Sequence, residues 1–198
     1  MGAIFQSLGR TVTAGVVVLL VILGLVAAMS GGVAVSAQHA WVAFFFRWLH
    51  VLSGVMWIGL LWYFNFVQMP SMPKIPDEQK PAIGKVIAPE ALFWFRWAAL
   101  STMVTGLILA GMNGYIGALL TFARPFTAIA IGMWLGLIMG LNVWAIIWPN
   151  QKKALGIVAV EPADKAKAAR IAMLASRFNT MLSIPMLYCM VAQQNGGL

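Results

Sequence analysis

Residues 47–59 read RWLHVLSGVMWIG. This stretch decides the fold, because it sets an arginine and a histidine inside an apolar run extending from about 41 to 67. A helix needs about 20 residues to cross a bilayer, and in lipid a helix is the segment that satisfies its own backbone. At about 100° per residue, Arg47, His50, Gly54, Trp57, Leu61, Asn65 and Gln68 fall on one stripe. Every strongly polar side chain of the run lies there, so the stripe is expected to face protein and not lipid.

Outward from it, further apolar runs occupy about 11–36, 91–113, 125–148 and 169–192. With 41–67 they predict an all-α bundle of five transmembrane helices, a single transmembrane domain over 1–198. Composition agrees: 62% of residues are hydrophobic, 9% are charged, and the mean hydropathy is +0.88. Soluble chains carry about a quarter charged residues. The net charge of +8 does not read as nucleic-acid binding, because the basic residues sit at the ends of apolar runs. The one cysteine, Cys189, excludes an internal disulfide and a C-x-x-C-H haem attachment.

The first run follows Arg10 as VVVLLVILGLVAAM, then V-S-A at 35–37. It is read as a retained signal-anchor helix at the lipid-facing edge of the bundle. Lys74, Lys80, Lys85, Lys152, Lys153, Lys165, Lys167 and Arg170 lie in the second and fourth connections, against Arg47 and Arg124 on the other side. Positive charge is retained on the cytoplasmic face, so the N-terminus is expected inside and the C-terminus outside. All five acidic residues fall in the two basic loops, which leaves no carboxylate within a span for proton relay.

The loop at 70–90 holds five of nine prolines and is expected to be irregular. At 150–170 the loop ends in DKAKAAR, which is expected to open the last helix near Asp164. Gly132, Gly136 and Gly140 form a doubled G-x-x-x-G, and Gly106, Ala110 and Gly114 a similar stripe. Small residues four apart let helices approach closely, so these two spans are expected to pack together. Trp41, Trp94, Trp97, Trp144 and Trp148 are expected as interfacial anchors. Pro185 should bend the last helix.

Two groups carry chemistry. His50 lies ~14 Å below the outer end of its run. An imidazole there can ligate haem iron through Nε2, with Arg47 available to a propionate and Gly54 leaving room for a flat macrocycle. Met133, Met186, Met190 and Met103 lie at similar depth and are candidate partners on the iron. Two plainer readings stand beside this one: methionine as core filler and His50 as an interhelical tether. Toward the inner boundary, Asn65, Gln68, Arg96, Asn142, Arg177 and Asn179 are candidates for an anion, a quinone carbonyl or lipid phosphate. There too, snorkelling arginines and interhelical amides are the alternative.

HVLSGVMWIGLLWYFNFVQMP (50–70), LFWFRWAALSTMVTG (92–106), MGLNVWAIIWPNQKK (139–153) and SRFNTMLSIPMLYCM (176–190) resemble the membrane domain of bacterial membrane-bound urate hydroxylases, the urate oxidase N-terminal family. The likeness covers about 47–190. More loosely, L-H-V-x-S-G-x-x-W-I-G is similar to the His-bearing helix of small haem-b membrane proteins of the copper-resistance D and protoporphyrinogen oxidase types. The resemblance implies a redox chain in which a fused cytochrome c passes electrons to a terminal oxidase. This chain is expected to be a truncated form without that cytochrome c domain, and its fifth-span motif has Phe178 where the family tends to place histidine beside Asn179. The expectation is therefore a membrane redox module with haem b at His50, in the bacterial inner membrane, serving a separate cytochrome c or oxidase. The alternative is a non-catalytic subunit of a larger membrane complex, with lipid filling its faces. A small anion transporter is the third reading, without visible inverted repeats.

Overall fold

The computed structural model describes residues 2–30 and 39–196, and it is helical with no strand among them. The V-S-A at 35–37 lies outside the described residues. The chain forms two units, Met1–Val42 and Ala43–Leu198.

The first unit contains a short turn, Gly2–Phe5, and helix α1, Leu8–Ser30. Its Leu8–Met29 stretch is aliphatic and none of its most apolar window is buried. Helix α2 is a continuous helical body over His39–Lys74, followed by α3 (Lys80–Met112), α4 (Thr127–Ala154) and α5 (Pro162–Asn195).

Among the described residues, α1 to α4 are long and apolar enough to cross a membrane. The span expected at 169–192 lies inside α5, which has the length, about 51 Å for its 34 residues, but not the apolarity. Ser176, Arg177, Asn179, Thr180 and Ser183 dilute it. Four of the five expected spans thus have the length and apolarity to cross a membrane, and the fifth falls in a more polar helix.

Boundaries differ too. The 70–90 segment, expected to be irregular, is mostly helical turns, and only about 75–79 breaks the chain between α2 and α3. Widened π turns occur at Tyr63–Gln68, Ile83–Ile87 and Val143–Ile147. Each ends two residues before a proline: Pro70, Pro89 and Pro149. Proline lacks the N–H for the i−4 carbonyl and its ring collides with that carbonyl. A locally wider turn relieves both without ending the helix. Pro185 sits within α5, which stays helical on both sides of it.

The larger core gathers Trp57, Leu61, Phe64, Phe95, Met139, Val143, Ile147 and Met186. A smaller one, toward the other end, holds Ala110, Ala118, Ile129, Ala130 and Met133. The third and fourth spans do pack together, with Ala110 against Ala130 and Met133 in the smaller core, but α4 packs more extensively along α5: a Cβ on Gly132 would stand 3.1 Å from Cys189 Cβ. Gly114 is not part of a helical stripe, because at φ +74° it turns the chain out of α3. The Tyr115 N–H then donates to the Ala110 carbonyl (3.1 Å) and the Gly114 N–H to Gly111 (3.1 Å). This is the left-handed helix ending that glycine favours.

Candidate functional site: a cavity beneath His50

Between the two cores lies a cavity of about 640 Å³, lined from α2, α3, α4 and α5. Its size falls in the roughly 300–1,000 Å³ range of cofactor and small-molecule sites. Trp57, Ile58 and Met186 come to it from the larger core, Ile129 and Met133 from the smaller. Gly54, Gly59, Gly106 and Gly136 form bare stretches of its wall.

His50 is the cavity's imidazole. Its Nδ1 stands 2.9 Å from the Thr102 carbonyl oxygen and 3.3 Å from Thr105 Oγ1. A carbonyl only accepts, so Nδ1 carries the proton and Nε2 keeps its lone pair. The ring lies against Gly106, where a Cβ would come within 2.9 Å of His50 Cε1. Thr102 and Thr105 hydroxyls bond back to the α3 carbonyls of Ala98 and Ser101, both at 2.7 Å, which leaves the Thr102 carbonyl facing the histidine. Ser53 and Ser101 hydroxyls pair at 2.9 Å on the same seam.

All five residues expected to hold a cofactor line this one cavity: His50, Arg47, Met133, Met186 and Met190. Met103 joins them. A Cβ on Gly140 would collide with the Met103 thioether, so the third glycine of the α4 motif seats a cavity side chain. Arg47 Nε is buried with no hydrogen-bond partner. Among the described residues no carboxylate lines the cavity to serve as its counter-ion. Trp57 is 1% exposed and its indole N–H is likewise unpaired.

The inner group is dispersed into pairs. Asn142 donates to Asn179 Oδ1 (2.7 Å) and the Ala175 carbonyl (3.0 Å), and Asn179 donates to the Met139 carbonyl (2.9 Å). Both amides are buried, clasping α4 to α5. Asn65 donates to Ser176 Oγ (2.8 Å) and the Leu61 carbonyl (2.8 Å), tying the π turn of α2 to α5. Trp62 reaches Ser183 at 3.0 Å. The Arg96 guanidinium lies 3.9 Å above the Trp148 ring and 5.3 Å from Phe93, a cation–π arrangement. Arg177 is exposed, away from Asn179, and Gln68 Oε1 is buried without a partner. Of the expected belt tryptophans, Trp97 and Trp144 meet edge to face at 5.5 Å.

Sequence reasoning missed Thr102, Gly106, Tyr115 and the Gln193 clamp, in which Gln193 accepts from the Ile129 N–H (3.1 Å) and donates to the Pro125 carbonyl (2.9 Å). The T-x-x-T-G of α3 (102–106) was the available signal; its glycine reads equally as a helix-packing residue.

Comparison with known proteins bears on the second half of this construction. Residues 117–196 match the family model described as urate oxidase N-terminal. The match takes in 80 of the chain's 198 residues, and over that part the chain is similar to the urate oxidase N-terminal family. No curated protein and no solved structure matches it. The urate oxidase N-terminal match takes in α4 and α5, with the Asn142–Asn179 clasp, Met133, Met186 and Met190, and is shorter than the expected 47–190. Arg47, His50, Asn65, Gln68 and Arg96 lie before it, so their roles rest on geometry alone.

Proposed function

We propose that this chain is a membrane redox module, urate-oxidase-related through its family match, which holds haem b in the cavity beneath His50. In this reading it works in the bacterial inner membrane with a separate cytochrome c or oxidase. The observation that carries it is the orientation of His50: one ring nitrogen is fixed by the Thr102 carbonyl, which leaves the other free as a ligand. The fit extends to the glycine walls, the apolar surroundings, and Arg47 without a counter-ion.

His50 would hold the iron, and a thioether from Met103, Met133, Met186 or Met190 would stand as its partner. Bound haem would supply one-electron redox chemistry there. The chain's own residues orient the imidazole through the Thr102 carbonyl, exclude water with Trp57, Ile58 and the methionines, and present a cation at Arg47. The basic ends of α2, α3, α4 and α5 support a cytoplasmic placement of that side, with α5 as a fifth crossing and the C-terminus outside.

The optical spectrum of the purified protein tests this. A Soret band is expected, and its loss in His50→Ala; a colourless protein that takes up no haemin sinks the redox reading. A second reading, an accessory subunit of a larger complex, is favoured by the unburied aliphatic surface of α1. It predicts copurification with a larger membrane enzyme in fixed ratio, with activity indifferent to His50→Ala.

A further inference from the structure

The cavity is polar at one end only. Apart from His50 and Thr102 on its wall, its polar side chains are Arg47, Tyr115, Gln194 and Asn195. Arg47 comes from the outer part of α2, Tyr115 from the connection after α3, and the last two from the end of α5. Tyr115 is not there by accident of a loose loop. The left-handed turn at Gly114 and the Tyr115 N–H bond to Ala110 fix its backbone. Its ring lies 5.4 Å from that of Phe126, and the residue lines the cavity.

We propose that Tyr115 and Arg47 form a carboxylate clamp at the outer rim, so that the group held at His50 sits with its acidic edge toward the α3–α4 connection. This rests on the haem reading above and adds to it a direction and a residue. Three features carry it. Arg47 has a buried, unpartnered Nε and no carboxylate in the cavity. Its charge is close enough to act on Tyr115 electrostatically, and the Asn113 carboxamide lies beside the phenol. Burial pushes the Tyr115 phenol up from its ordinary value, so at neutral pH it is a donor. A guanidinium that only donates, beside a phenol O–H able to donate, makes a pair suited to a carboxylate.

The test compares haemin with its dimethyl ester, which keeps the ring and iron and removes both negative charges. The full-length chain, purified without haem, is titrated with each and followed by the Soret band. The free acid is expected to bind more tightly by about tenfold, the scale of one charge-assisted bond. Tyr115→Phe and Arg47→Gln should each shrink that preference severalfold, with helix content by circular dichroism at the wild-type level as the folding control. Equal affinity for acid and ester in the wild type overturns the clamp while leaving haem binding standing. A preference that survives both substitutions overturns the assignment to these residues. If neither form gives a Soret band, the haem reading falls and the clamp falls with it.

Discussion

His50 is held from two sides, by a carbonyl that fixes its proton and by a glycine that gives its ring room. Gly106 is where this can be broken without touching the imidazole. An alanine there places its Cβ within 2.9 Å of His50 Cε1, and real contacts are not that short, so the ring must leave the Thr102 carbonyl. Gly106→Ala is expected to weaken haemin uptake by about tenfold or more, the loss of one orienting interaction behind a ligand. Unfolding temperature should change little, because alanine is the better helix former. Unchanged uptake would show that the seat does not matter. At this scale the sequence was half legible. The polar stripe from Arg47 to Gln68 could be read from spacing, since one face collects every polar group. Gly106 could not, because a missing side chain does not say whether a helix backbone or an imidazole fills the space.

The elements differ in how they are joined. Helices α4 and α5 meet backbone to backbone, through Gly132 against Cys189 and through the amide clasp. Helix α2 is joined to its neighbours by side-chain bonds at His50, Ser53, Trp62 and Asn65. Asn179→Ala and Asn142→Ala are each expected to destabilise the protein by about 1–2 kcal/mol in detergent unfolding, near the upper range for interhelical amides in membranes. The double variant should cost less than the sum, because each single change leaves part of the other amide unpaired; strict additivity would mean the two amides act independently. The proline-linked π turns were visible in sequence only as prolines. A proline announces a lost hydrogen bond, but whether the helix stops, kinks or widens depends on what packs around it. Hence 70–90 was expected to be irregular and is instead the tail of one helix and the head of the next.

Across the whole molecule, charge is sorted by end. The acidic residues and all the lysines gather around the connections α2–α3 and α4–α5, while the cavity and its Arg47–Tyr115 rim lie toward the opposite end. In intact cells a cysteine introduced at Ile157 should be shielded from membrane-impermeant thiol reagents, and one introduced at Gln194 should react. Cys189 is buried and gives a low background. The reverse pattern would invert the topology. Apolar run length made four membrane helices readable, but it could not grade the last one, because hydropathy does not distinguish a polar residue facing lipid from one clasped to a neighbour.

That last helix also bears on how the protein is made. As the fifth crossing proposed above, α5 taken alone would bring Ser176, Arg177, Asn179 and Thr180 to a bilayer that offers them nothing to bond with. By the time it leaves the ribosome, α4 has already emerged, carrying Asn142 and the Met139 carbonyl that Asn179 bonds. In the topology proposed above, entry of α5 into the membrane is therefore an act of docking onto a helix already there, and the order of the chain supplies the template before the segment that requires it.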